Sequence, residues 1–101
     1  MPDDSPATLA SIEAIVSKRV GPIRWDNGRK EDNVKARRWF CWLAHRAGFG
    51  WSQIGRHAGC NHGNVIHHYH SAQDHIATDK QAKQLSLALM RDLRDSSGET
   101  V

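Results

Sequence analysis

This sequence predicts an all-α fold of about five helices with a helix-turn-helix at its centre. Apolar residues recur at three- and four-residue spacing in successive segments, and no stretch alternates long enough to make a strand. Glycine and proline punctuate those segments. One interruption is very short: Ile54-Gly55 precedes it, Gly59-Cys60 forms it, and Asn61 opens the next segment.

Thr8 is an N-cap residue for a first helix in which Leu9, Ile12, Ile15 and Val16 fall on one side, and Gly21-Pro22 stops it. The next stretch, Ile23 to Lys30, contains Asn27-Gly28 and several basic residues and reads as an exposed loop. Asn33 caps a second helix to about Ala47, with Ala36, Trp39, Phe40, Leu43 and Ala47 on one face, before Gly48 and Gly50. Trp51 to Ala58 makes a short third helix of about two turns. Asn61 caps a fourth helix through about Ala77, striped by Val65, Ile66, Tyr69, Ala72 and Ile76. Asp79 caps a fifth, lined by Ala82, Leu85, Leu89 and Leu93.

The chain has 101 residues, enough for a single domain, and 39% hydrophobic content supports a small core without a large cofactor cavity. Residues 8–94 form that domain, while Met1–Ala7 and Asp95–Val101 are polar and read as flexible tails. No apolar run approaches the roughly 20 residues of a membrane span. Two cysteines make no disulfide framework, and no signal peptide precedes them, so a reduced, cytoplasmic protein is expected. Cys41, within an apolar helical stretch, reads as a small buried hydrophobe.

Charge distribution says more than the net charge of +3. Between Asn33 and Gln73 there is no acidic residue, yet Lys35, Arg37, Arg38, Arg46, Arg56 and six of the seven histidines lie there. A solvated surface of ordinary kind interleaves the signs. Arg37 and Arg38, without acidic neighbours in the sequence, therefore read as phosphate contacts. The short helix, glycine turn and longer helix supply the geometry for double-stranded DNA. Ile54 and the Val65/Ile66/Tyr69 stripe clamp the two helices, Gly55 permits close approach, and Gly59 a permissive turn. The first turn of the longer helix then presents backbone N–H groups and the polar run Asn61-His62-Gly63-Asn64. A helix start of this kind attracts phosphate, and asparagine pairs well with adenine.

The same residues resemble the C-terminal DNA-binding domain (domain IV) of the bacterial chromosomal replication initiator DnaA, a Trp-repressor-like helical fold. That family carries an Ile-Gly, an aromatic-Gly-Gly turn and the signature Arg-Asp-His-Thr-Thr-Val-x-His. Here stand Ile54-Gly55, Gly59-Cys60 and Asn61-His62-Gly63-Asn64-Val65-Ile66-His67, one residue shorter in the turn. Upstream, Ala36 to Ala44 is similar to the family's Pro-Arg-Gln-x-Ala-x-x-Leu-Ala, and the likeness extends over about Leu9 to Arg94.

The resemblance implies that Asn61, His62, Gly63 and Asn64 face base edges in the major groove. It also implies that Arg24, Arg29 or Lys30 reaches the backbone or minor groove, and that Arg37 and His67 lie at phosphates. Arg38 and Arg56 join the backbone set as neighbouring bases in the acid-free window. The family's Asp-Thr-Thr positions are Asn61, Gly63 and Asn64 here, so duplex binding is implied but not the family's nine-base-pair box. No phosphate-binding glycine loop occurs, so the expectation is a solitary DNA-binding domain that regulates transcription or replication, not an initiator.

Other readings leave other signatures. Cys60, His62, His67, His68 and His70 lie near one another in sequence and invite a zinc-stabilised helical domain. No closely spaced cysteine pair accompanies them, and neither metal nor cofactor is expected. Four tryptophans suit a small core, with Trp42 or Trp25 left partly exposed as a possible protein-partner surface on a scaffold that has lost DNA binding. No nucleophile, base and orienting group can be assembled, so no enzyme is expected. Oligomeric state has no signature in the sequence.

Overall fold

The structure, a computed structural model, describes residues 8–21, 23 and 31–96. Five helices lie among them: α1 (Leu9–Arg19), α2 (Glu31–Arg46), α3 (Trp51–Ala58), α4 (His62–Thr78) and α5 (Lys80–Ser96). The described residues contain no strand.

Thr8 caps α1 as its position foretold. Its hydroxyl accepts from the Ser11 N–H at 3.1 Å while the Thr8 N–H donates to the Ser11 hydroxyl at 2.9 Å, a reciprocal box that satisfies two otherwise unpaired donors. Helix α2 begins at Glu31, so Asn33 lies within its first turn and does not cap it. Asn61 caps α4 as expected, and the Asp79 carboxylate accepts from the Gln81 N–H at 3.0 Å at the head of α5. The last helix runs to Ser96, two residues past the expected end.

Helix α2 organises the fold. Ala36 and every residue from Trp39 to Ala44 are buried. A helix that is apolar on all sides must be surrounded, and α2 packs against α1, α3 and α4. Ile12 and Val16 of α1, Ile54 of α3, Val65 and Ala72 of α4, and Ala82 and Leu89 of α5 complete the core. The single-face assignment for this helix was therefore too narrow.

Trp42 shows why. It is 3% exposed, and its indole N–H donates to the Gln73 side-chain oxygen of α4 at 2.9 Å. The expectation that Trp42 would form an exposed partner surface is thus corrected: its one polar group finds a partner across the α2–α4 interface. Its ring meets Trp39 edge-on with centroids 5.6 Å apart. Trp25, the other residue considered for that surface, lies outside the described residues.

Helix α1 is tied at two heights. Glu13 accepts from the His57 ring on α3 at 2.8 Å. Arg19 donates to Asp92 on α5 through two nitrogens. Among the described residues no helix is long and apolar enough to cross a membrane.

Candidate nucleic-acid interface

The connection from α3 to α4 is three residues, Gly59-Cys60-Asn61. Gly59 takes a left-handed conformation with φ of +74°, which an L side chain adopts only at a cost. From there the Cys60 N–H reaches back to the Gly55 carbonyl at 3.0 Å, closing α3 by a Schellman-type bond. Gly55 itself is buried, and a Cβ there would stand 2.7 Å from the Cys60 carbonyl oxygen. The absence of a side chain at Gly55 is what lets the turn fold down onto α3.

Beyond the turn, Asn61, His62, Gly63 and Asn64 are all exposed, and Val65 is fully buried. Val65 and Ile54 pin the base of α4, so its first turn stands outward on a fixed support. The Asn61 side-chain oxygen accepts from the Asn64 N–H at 2.9 Å. That cap occupies one of the two lone pairs of the Asn61 side-chain oxygen and fixes the direction of its amide. Two-handed pairing with adenine needs both the oxygen and the nitrogen of an amide. Asn64, exposed on the same turn, carries a second amide.

Arg37 acts on two groups of this region. Its charge lowers the Cys60 thiol pKa against the stronger upward push of burial, and it contributes to the depression at His68. The start of α2 therefore flanks the turn and the face of α4. His68 is held below the ordinary histidine value by burial first, then by the positive charges of His67, Arg38 and Arg37. His67, Arg38 and Arg37 thus place basic groups around His68. Cys41, by contrast, is inert: burial pushes its thiol up to about 12.

The pH consequence for folding has a definite sign. The folded pKa of His68 lies below the unfolded value of about 6.5. As pH falls through that value the unfolded chain takes up a proton that the folded chain resists, so stability declines on the acid side. Urea unfolding at pH 7.5 and 5.5 should show a smaller acid loss in His68→Gln than in the parent. An equal loss in both would contradict this assignment.

His67 is exposed on α4 and Arg56 is exposed on α3. Arg38 is half-buried, with its Nε out of contact with solvent and without a hydrogen-bond partner, and it lines a cavity away from the turn. Arg24, Arg29 and Lys30 lie outside the described residues. His68 was not among the sequence-derived contacts, although it follows Asn64 by four residues and so shares its face of the helix. Among the described residues no three histidine, cysteine or acidic side chains come together to hold a metal ion.

No protein-family model matches the chain, and no curated protein or solved structure is significantly similar to it.

Proposed function

We propose that this chain is a sequence-preferring double-stranded DNA-binding domain of the helix-turn-helix type, regulating transcription or replication by occupying sites. One observation carries the reading: an outward, acid-free first turn of α4, His62-Gly63-Asn64, held on a rigid turn and flanked by Arg37, His67 and His68. The likeness to the initiator's domain IV, drawn from the same residues, supports it. In this reading α4 enters the major groove, Asn64 reads a base with its amide, and Asn61 and His62 contribute at base edges. Arg37, Arg56 and His67 hold phosphates. The burial of Trp42 removes one surface that a protein-interaction role would have used.

Selection of bound sequences from a random duplex pool tests the proposal directly. An enriched motif, bound with affinity that falls steeply as salt rises, is the expected result. Asn64→Ala should then relax preference at one position by about 1–3 kcal/mol, whereas Arg37→Ala should weaken motif and random duplex alike. Failure to retain any duplex above background would refute the reading.

A further inference from the structure

A second place on the molecule has the make-up of a ligand site. Between the start of α2, the end of α4 and the start of α5 lies a cavity of about 470 Å³. That volume falls in the range of roughly 300–1,000 Å³ found for small-molecule pockets. Its walls divide by chemistry. Trp39, Ala82 and Leu85 supply apolar surface, and Trp39 and Ala82 belong to the packed core, so that wall is rigid. Lys35, Arg38 and His75 supply cationic or titratable nitrogen from two different helices. Among the described lining residues one is a carboxylate, Asp79, and it is engaged as an acceptor for the Gln81 N–H.

Arg38 carries a further sign. Its Nε has no hydrogen-bond partner and no contact with solvent, although it belongs to a charged group. Leaving such a donor unpaired is costly, more so for a charged group than a neutral one. The Nε edge of a guanidinium is also one of those that grip a carboxylate or phosphate with two parallel hydrogen bonds. A turn of the side chain toward an anion in the cavity would satisfy that donor. Lys35, one helical turn before Arg38, brings a second charge to the same wall.

We infer that this cavity binds a small organic anion, a molecule with a carboxylate or phosphate on a flat apolar body. The acid group lies against Arg38 and Lys35, and the apolar body against Trp39, Ala82 and Leu85. This site is separate from the first turn of α4. His75 lies 13 residues beyond His62, about 20 Å along the helix.

The test uses the full chain with two probes, naphthalene-2-carboxylate and 2-naphthyl phosphate, and the neutral naphthalene-2-carboxamide as comparison. Binding is followed by backbone amide shifts in ¹⁵N-labelled protein. Saturable binding of at least one acid is expected, with shifts confined to the beginning of α2, the end of α4 and the beginning of α5. A preference between the two acids supports the site and identifies its acid group. Arg38→Gln and Lys35→Gln should each weaken binding by about tenfold or more at unchanged helix content. Ala82→Leu should fill the apolar end and weaken it independently of charge. Three results would overturn the inference: no saturable binding of either acid up to roughly 10 mM, equal binding of the carboxamide, or unchanged affinity in both charge variants.

Discussion

Replacing Phe40 by alanine should lower the unfolding free energy by about 3–5 kcal/mol, the usual cost of removing a fully buried aromatic side chain. Phe40 is 0% exposed and stacks on the His57 ring with centroids 5.5 Å apart. His57 in turn pairs with Glu13, so one side chain supports the junction of α1, α2 and α3. Small domains have roughly 5–15 kcal/mol of stability in total, and this single change removes a large part of it. Urea denaturation followed by tryptophan fluorescence measures the loss. Leu87→Ala serves as the comparison, because Leu87 is 60% exposed and should change stability by no more than about 0.5 kcal/mol. Similar values for the two variants would mean that the core is not packed as described.

Gly55→Ala is the second large effect, and its sign is diagnostic. At an ordinary position within a helix, glycine to alanine stabilises by roughly 0.5–1 kcal/mol. Here the new Cβ would meet the Cys60 carbonyl oxygen at 2.7 Å and the Asn61 carbonyl carbon at 3.4 Å. Both are backbone atoms of the turn, and neither can swing aside as a side-chain tip would. The variant should therefore lose about 1–3 kcal/mol, the range for overpacking a tight interior. Any duplex affinity should fall further than stability alone accounts for, because the displaced turn re-aims α4. Thermal unfolding together with duplex binding at a temperature where the variant is folded separates the two losses. A more stable variant would show that α3 and α4 are not in close contact.

How much of this could be read beforehand depends on what carried the information. The caps at Thr8 and Asn61 were legible because they are local, with side chains that reach only their own helix starts, whereas Asn33 fell inside a helix that begins two residues earlier. The short turn was legible because Gly55 and Gly59 answer to backbone demands that few other residues meet. Burial around α2 was not. A run such as Trp39 to Ala44 has no single apolar face, and only the positions of α1, α3 and α4 decide that every side is covered. Trp42 was misplaced for the same reason, since its partner Gln73 lies 31 residues away. At the candidate interface, Asn61 to Asn64 could be placed at a helix start from sequence. The reach of Arg37 to Cys60 and His68, and the place of Arg38 in the wall of a cavity, arise from the packing of the helices.

The two ties of α1 have a consequence for the order of assembly. Helices α2 to α5 follow one another closely in the chain, and α3 and α4 meet across a three-residue turn. Glu13 and His57, however, are 44 residues apart, and Arg19 and Asp92 are 73 apart. Contacts between near neighbours close small loops and form early, while distant ones must wait for the intervening chain to be ordered. The ties from α1 to α3 and α5 are therefore expected to be among the last contacts to close. Helix α1 packs on its neighbour α2 as well as on α5, so only its edge against α5 must wait for the end of the described chain to order, and that edge is the expected first place to open.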